Sequence, residues 1–390
     1  MFLNIPCNGI GKMIDGKGFL MLKCKIMEKM LKHEGKEKKY LPRLIAWEIT
    51  RSCNLNCVHC RAAARFGPYP NELKTEECLK FLDDVASFSE PIIILTGGEP
   101  MMREDIFDVA KHGTGLGLRM VMAPCGLLMN KENTKRMVEV GIKRISLSID
   151  GADAAAHDAF RNVPGAFDAV IKATQLARDA GLEFQINTTI TKHNINELPK
   201  ILELAMKLGA VAYHPFLLVP TGRAANMADQ EISPDDYEKT LTWFYDQRDK
   251  VKIQFKPTCA PHYYRIFREH ERQKGHAVTP QTHGLDAMTK GCMGGQSFAF
   301  VSHMGKVQIC GFLETECGDI RKEPFSKIWD TSNVFLEMRA LDDYHGRCGV
   351  CEYRKVCGGC RARAFATTGN YLDEEPYCTY QPKLAEAVKK

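Results

Sequence analysis

The feature that most limits how this chain can fold is a regular alternation of short apolar segments with longer amphipathic ones, between residues 44 and about 220. Such alternation is typical of βα units, in which helices cover a parallel sheet. Six units are too few for a closed eight-stranded barrel, so we predict an α/β fold with a partial (β/α)6 barrel. The predicted strands are 44–49, 92–95, 119–123, 144–149, 183–190 and 211–218.

Helix start and stop signals support this pattern. We predict helices over 75–88 and 166–180, the second closed by Gly181. Ser233 and Pro234 are a typical N-cap and first helical residue, and they predict another helix that runs to about residue 249.

Three cysteines directly follow the first predicted strand, in the C-x3-C-x2-C pattern of Cys53, Cys57 and Cys60. Three thiolates on one loop can hold three irons of a cubane cluster and leave the fourth iron open. Structural zinc prefers four ligands in a closed tetrahedron, usually from two C-x2-C pairs. A zinc loop and three buried reduced thiols are the alternatives.

The second predicted strand ends in Gly97, Gly98, Glu99 and Pro100. Two glycines at a strand end let the backbone approach a ligand closely, and nearby carbonyls and a carboxylate can receive an ammonium group. Together with the cysteine loop, this segment resembles the radical S-adenosylmethionine (SAM) superfamily. The resemblance implies that the loop binds a [4Fe-4S] cluster, that SAM chelates the open iron, and that the Gly-Gly-Glu-Pro segment meets the SAM amino group.

Later strand ends supply further candidate contacts to SAM. Small hydroxyls and an aspartate after the fourth strand suit a ribose or a carboxylate, although Asp-Gly also favours turns in any fold. The resemblance implies that Ser148, Asp150 and Asn187 contact SAM, that Arg161 lies near its carboxylate, and that His59 stacks on the adenine. A solvated Arg161 and a simply packed His59 are alternatives. No catalytic side chain is assigned, because SAM supplies the 5′-deoxyadenosyl radical.

Eight of the sixteen cysteines fall between residues 292 and 378, among short strands and turns. So many cysteines without a secretion signal argue against a disulfide framework and for metal ligation in a reducing compartment. A small domain with a metal core fits this segment. It resembles the SPASM-type (SPASM/twitch) extension of radical SAM enzymes, which implies one or two auxiliary [4Fe-4S] clusters.

The same resemblance implies which cysteines bind the auxiliary clusters. The ligands of one cluster would be Cys348, Cys351, Cys357 and Cys378. The ligands of a second would include Cys292, Cys310 and Cys360. Its fourth ligand stays open between Cys259, Cys317, a substrate and no ligand. A zinc ribbon could use the C-x2-C pairs but would leave three of these cysteines unexplained. The cysteines predicted to be plain thiols are Cys7, Cys24, Cys78 and Cys125.

Charge is concentrated at the N-terminus. Residues 1–43 hold ten Lys/Arg and four Asp/Glu, so the rest of the chain is near −1 within a net charge of +5. We predict a basic, flexible tail over 1–40 and no nucleic-acid partner. No apolar run approaches the roughly 20 residues of a membrane span, so we expect a cytoplasmic protein without a membrane partner. The remaining predicted parts are a partial TIM-like barrel (41–255), a linker or lid (256–291) and an auxiliary Fe-S domain (292–390).

From about residue 41 onwards, the chain resembles the radical SAM enzymes of the alternative haem and haem d1 routes, and among them the SAM-dependent haem synthases. The segments that carry this resemblance are 47–63, 259–263, 357–363 and 375–378. The resemblance implies oxidative decarboxylation of two propionates of iron-coproporphyrin III to vinyl groups, giving haem b. It also implies a low-potential electron donor of the flavodoxin or ferredoxin type.

Three alternative functions stay open at this point. They are a deacetylase acting on 12,18-didecarboxysiroheme, a peptide-maturing SPASM enzyme, and a non-enzymatic Fe-S electron carrier. Tetrapyrrole propionates favour Arg or Lys and the iron can take His. The residues available for these contacts are His262, His283, Arg223 and Arg265.

Overall fold

The computed structural model describes residues 40–383, so the predicted tail over 1–40 lies outside the described residues except for Tyr40. Within that range the strands are β1 (Leu44–Thr50), β2 (Ile92–Gly97), β3 (Arg119–Met122), β4 (Arg144–Ser148), β5 (Glu183–Ile190), β6 (Ala212–Leu217), β7 (Gln254–Phe255), β8 (Phe298–Val301), β9 (Lys306–Cys310) and β10 (Leu313–Asp319). The helices of the barrel part are α1 (Thr75–Phe88), α2 (Ile106–Gly115), α3 (Lys131–Glu139), α4 (Ala154–Arg161), α5 (Ala166–Asp179), α6 (Leu198–Leu208) and α7 (Pro234–Gln247). They are followed by α8 (His262–Gln273), α9 (Pro280–His283), α10 (Leu285–Met288), α11 (Phe325–Thr331), α12 (Asn333–Arg339), α13 (Gly346–Val350) and α14 (Arg361–Thr368).

The strands form one sheet in the order β10-β9-β8-β1-β2-β3-β4-β5-β6-β7. Strands β1 to β7 pair in parallel along the sheet. The six predicted strands correspond to β1–β6 within two residues at each end. The predicted α/β fold class is therefore confirmed, with helices between the strands as in other parallel sheets.

The side chains of β5 show how the sheet separates its core from its site. Phe184 and Ile186 are fully buried, and α5 packs against this strand. Gln185 and Asn187 alternate with them and are partly exposed. Because helices cover the outer face of a βα barrel, the partly exposed side chains lie on the inner face.

Residues 256–291, predicted as a linker or lid, contain the well-packed helix α8. Its Ile266 and Phe267 are buried, and the helix contacts α7. The beginning of α7 agrees with the prediction, because the Ser233 hydroxyl accepts the Asp236 N–H at 3.1 Å.

The sheet continues across residue 292, where the auxiliary domain was predicted to begin. Strand β8 pairs in parallel with β1, and β9 and β10 extend the same edge in antiparallel fashion. The domain boundaries themselves stay predictions. Within residues 40–383, no helix has both the length and the apolar character needed to cross a membrane.

Candidate active site and iron-sulfur sites

The three cysteines of the loop after β1 lie together. Cys53, Cys57 and Cys60 belong to one small cluster with Leu55 and other apolar side chains. Burial, assisted by the charges that Glu99 and the other two thiols can carry, raises the pKa of Cys53 to about 12. Iron ligation would stabilise a thiolate in such a setting, and three thiols on one loop fit a [4Fe-4S] cluster with one open iron.

Arg223 binds the main chain of this loop. Its backbone N–H and its Nε donate to the carbonyls of Cys60 and Cys57 at 2.9 and 2.7 Å. Its Nη1 donates to the carbonyl of Ala64 at 2.8 Å. The guanidinium is therefore engaged by the cysteine loop, although the sequence offered it as a candidate for binding propionates.

The two glycines after β2 allow the cysteine loop to pass directly against this strand end. A Cβ added at Gly97 would lie 2.2 Å from the Thr50 carbonyl, and one at Gly98 would lie 2.3 Å from the Ser52 carbonyl. The φ of Gly97 is +156°. The sequence predicts that these glycines let a ligand approach the backbone. In the structure, the main chain that leads into the cysteine loop makes a close approach to them.

Glu99 is fully buried beneath the same strand end. Its carboxylate accepts the backbone N–H groups of Met101 at 2.9 Å and Cys125 at 2.5 Å. Burial raises the pKa of Glu99 above its usual value, although these hydrogen bonds favour the ionised form. The segment is thus a rigid platform next to the three cysteines, and its Pro100 is buried as well.

Arg161 bridges two of the predicted site residues. It pairs with the buried carboxylate of Asp150, and its Nη1 lies 3.6 Å from the Cys57 sulfur. Burial opposes ionisation of Asp150, but Arg161, with smaller contributions from His157 and the Thr189 N–H, holds the pKa of this carboxyl below its usual value. The other oxygen of Asp150 accepts the Thr189 N–H at 2.7 Å, so the aspartate also fixes the end of β5.

His59 stacks on Phe160, with ring centroids 4.1 Å apart and planes 12° from parallel. Burial lowers the pKa of His59 to about 3, so the ring is neutral. Its Nδ1 is buried and has no hydrogen-bond partner among the described residues. Ser148 and Asn187 pair on adjacent strands β4 and β5, on the inner face. The structure therefore brings the predicted SAM residues to one end of the sheet.

A buried carboxylate that the sequence did not single out joins the cysteine loop to the C-terminal part. Glu48 on β1 accepts hydrogen bonds from Arg51 at 2.9 Å, Arg61 at 3.0 Å and His303 at 2.7 Å. Burial alone would raise the pKa of Glu48, but Arg61, His303 and Arg51 together lower it to about 2. Its position among basic residues only becomes visible once β8 lies beside β1.

Four of the C-terminal cysteines line one solvent-open cavity. They are the four predicted ligands of one auxiliary cluster, Cys348, Cys351, Cys357 and Cys378. Burial raises the pKa of Cys378 to about 11, and a nearby Arg265 partly offsets this effect. A cavity bounded by four thiols and a cation suits an anionic Fe-S cluster.

A second group of thiols lies around Cys259. Burial raises its pKa well above the usual value, and the neighbouring thiols Cys360, Cys310 and Cys292 add to the effect. Cys259 has a left-handed backbone conformation with a φ of +54°, which is uncommon for a residue other than glycine. Cys317 interacts instead with Ser332 and Glu316. Of the two candidates for a fourth thiol, the structure places Cys259 with the other three.

A buried ion pair binds the main chain of two cysteines in this second group. Glu375 accepts the Arg363 Nε–H at 3.0 Å and the backbone N–H of Cys360 at 2.5 Å. Arg363 also donates to the Tyr237 hydroxyl at 2.6 Å and to the Cys259 carbonyl at 2.7 Å. Both charged side chains are buried, so the pair compensates charges that burial would otherwise destabilise.

Comparison with known proteins identifies the family of this chain. The chain matches the Radical SAM superfamily over residues 47–205 and the iron-sulfur cluster-binding domain SPASM over residues 292–361. It is 52% identical over 341 residues to the AdoMet-dependent heme synthase of Nitratidesulfovibrio vulgaris, covering 87% of this chain and 93% of that protein. The chain belongs to the AdoMet-dependent heme synthase family of radical SAM enzymes.

A second member of the family, the AdoMet-dependent heme synthase of Methanosarcina barkeri, is also 52% identical, over 87% of this chain and 97% of that protein. In fold, the chain is similar to the crystal structure of Streptococcus suis SuiB bound to S-adenosylmethionine, with a TM-score of 0.70. This likeness covers 93% of this chain and 82% of that one, at 15% identity. As a radical SAM enzyme with a SPASM domain, this heme synthase family member uses SAM, a SAM-binding [4Fe-4S] cluster and auxiliary [4Fe-4S] cluster binding in its C-terminal part.

Two of the three remaining sequence candidates of this heme synthase family member are engaged by carboxylates of the protein. Arg265 pairs with Glu238 and Glu269 at 2.5 and 2.6 Å. The His283 ring lies 3.0 Å from the Glu271 carboxylate. His262 lines the four-cysteine cavity, and both of its ring nitrogens lack hydrogen-bond partners in the described part of the chain. Arg265 lines the same four-cysteine cavity as His262.

Proposed function

We propose that the chain is a haem synthase that converts iron-coproporphyrin III to haem b by oxidative decarboxylation of two propionates to vinyl groups. The observation that carries the proposal is a three-cysteine loop combined, in one chain, with two C-terminal groups of thiols. Each propionate must lose one hydrogen atom, one CO2 and one electron. A protein for this reaction needs both a radical source and an acceptor for the electron, which two kinds of thiol site provide.

The proposed ligands of the SAM-binding cluster are Cys53, Cys57 and Cys60. Those of one auxiliary cluster are Cys348, Cys351, Cys357 and Cys378. Those of a second are Cys259, Cys292, Cys310 and Cys360, so Cys259 replaces Cys317 in the ligand set. Held by these cysteines, the SAM-binding cluster with SAM would supply the radical chemistry for hydrogen-atom abstraction, and an auxiliary cluster would supply an acceptor for the remaining electron.

The side chains of the barrel bind and orient SAM in this proposal. The proposed contacts are His59, Gly97, Gly98, Glu99, Pro100, Ser148, Asp150, Arg161 and Asn187. Arg161 is suited to the SAM carboxylate because it already lies between Asp150 and the Cys57 sulfur.

The partners and the compartment belong to the same proposal. Cleaving the SAM sulfonium requires an electron at roughly −400 mV or below, which favours a flavodoxin- or ferredoxin-type donor. The fourteen cysteines in the described part of the chain are all free thiols, which fits a reducing cytoplasm. The proposal includes a tetrapyrrole substrate and neither a nucleic acid nor a membrane as a partner.

The decisive experiment gives the anaerobically reconstituted protein SAM, a reductant and iron-coproporphyrin III, and follows the tetrapyrrole by mass spectrometry. We expect the loss of two formic acid equivalents, by way of a monovinyl intermediate. A parallel reaction contains 12,18-didecarboxysiroheme. Loss of acetate groups from that substrate, with iron-coproporphyrin III unchanged, would identify a deacetylase and overturn the proposal.

A further inference from the structure

Lys256 lies in a row of inner-face side chains that begins at the proposed SAM site. Asn187 on β5 pairs with His214 on β6. Strands β6 and β7 pair with Tyr213 opposite Phe255, and the Lys256 N–H donates to the Tyr213 carbonyl at 3.2 Å. Lys256 therefore follows β7 at the level of His214, about 10 Å from Asn187 across two strand spacings.

The groups around Lys256 do not neutralise it. Within residues 40–383, no carboxylate or other acceptor is bound by its ammonium, and burial lowers its pKa. Burial, assisted by Lys256 itself, lowers the pKa of His214 to about 3, so this imidazole is neutral. The Gln185 amide donates towards His214 Nδ1 at 3.0 Å. The nearby cation Arg144 already pairs with Glu183 at 2.8 Å.

A partly buried ammonium without a counterion costs free energy unless an anion binds there. The lysines of the outer edge behave differently, since Lys306 is paired with both Glu316 and Asp319 at 3.1 Å. The inner face at Lys256 thus carries a positive charge that the protein leaves uncompensated. Its position next to the proposed SAM contacts indicates that a bound substrate supplies the negative charge.

We propose that Lys256 binds a carboxylate of the substrate and thereby positions a tetrapyrrole propionate relative to SAM. This inference rests on the proposed function and names one of its binding residues. The ligand class is a carboxylate, because a charge-assisted hydrogen bond from an ammonium suits a propionate oxygen. Lys256 takes no part in the chemistry of the reacting atoms.

The test measures the Kd of iron-coproporphyrin III for the SAM-loaded, fully reconstituted protein, by titration of the Soret band under anaerobic conditions. Lys256→Gln should raise this Kd about tenfold, the factor that a loss of one charge-assisted hydrogen bond produces. Lys256→Glu should raise it further, and Lys256→Arg should restore most of the affinity. The matched control is Lys200→Gln, an exposed lysine on α6, which should leave the Kd unchanged.

A second ligand tests whether the carboxylates are what Lys256 recognises. With the tetramethyl ester of iron-coproporphyrin III in detergent, wild-type protein and Lys256→Gln should bind equally. Unchanged iron content verifies that each variant is folded. Equal Kd values for the free acid in wild-type protein and Lys256→Gln would overturn the inference while haem formation by the wild type would uphold the proposed function. Failure of the wild type to bind or convert iron-coproporphyrin III would overturn both.

Discussion

The three-cysteine loop and the C-terminal thiol groups are assembled in different ways beside the same sheet. The loop takes all its thiols from residues 53–60, and main-chain carbonyls of that loop are held by Arg223. The C-terminal groups collect thiols from residues 259–378 and are braced by the buried pair of Arg363 and Glu375. A local loop can leave one position open for a ligand, whereas thiols drawn from distant segments can enclose a site.

The comparison also shows how the two regions are joined. Arg61 directly follows the last cysteine of the loop and stacks over Phe300 of β8, at 4.5 Å from the ring centroid. The same guanidinium binds Glu48, which His303 also contacts. The C-terminal region is therefore anchored to the strand that carries the loop, and the thiol groups keep a defined relative position.

The largest expected effect comes from removing a thiol of the loop. Cys57→Ala should abolish both SAM cleavage and haem formation, because the loop has three thiols and none to spare for holding the cluster. The measurement is 5′-deoxyadenosine by chromatography, with and without tetrapyrrole. Cys78→Ala, a buried thiol on α1, is the control and should leave SAM cleavage intact. SAM cleavage by Cys57→Ala at the wild-type rate would contradict the ligand assignment.

Removing a thiol of the four-cysteine cavity should separate the two halves of the reaction. Cys348→Ser or Cys357→Ser should keep reductive SAM cleavage but reduce haem formation to a small fraction of the wild-type rate, because the electron left after decarboxylation lacks its acceptor. The ratio of 5′-deoxyadenosine to haem b, determined by chromatography, measures this uncoupling. Unaltered coupling in both variants would contradict an auxiliary cluster as the electron acceptor.

The same contrast explains what could be predicted from the sequence. Strands β1–β6 and helix α1 were predictable because period-two and helical patterns are local, and the loop cysteines because their spacing is local. Cys259 could not be preferred over Cys317, since each is a single cysteine without a spacing motif, and only tertiary packing brings Cys259 to its partners. The left-handed backbone of Cys259 leaves no trace in the sequence.

The sequence alone could not assign the charged residues to a role. Arg223 and Arg265 were candidates for propionates, yet both are satisfied by protein groups. Lys256 was not singled out, because its lack of a counterion depends on which side chains face it across β6 and β7. Which charges are compensated is a property of the packed structure, and so is the network of Glu48.

A smaller effect distinguishes the two candidates for the fourth thiol of the second group. Cys259→Ser should lower the iron content of the reconstituted protein by about one third, the share of one cubane in three. Cys317→Ser should leave it unchanged, because Cys317 interacts with Ser332 and Glu316. Iron and sulfide analysis, with electron paramagnetic resonance of the reduced protein, gives the answer. Equal iron content in both variants would contradict Cys259 as a ligand.

The smallest expected effect concerns the buried ion pair of Arg363 and Glu375 beside the C-terminal thiols. Arg363→Met leaves the Glu375 carboxylate buried without its partner, and breaking such a pair costs about 3–5 kcal/mol of unfolding free energy. We expect a lower urea midpoint at an unchanged slope under anaerobic conditions. Arg354→Met is the matched control, because its partner Asp342 is exposed and solvent screens the pair. An equal shift of the urea midpoint in the two variants would show that the buried pair of Arg363 and Glu375 contributes no more to the free energy of unfolding than the exposed pair does.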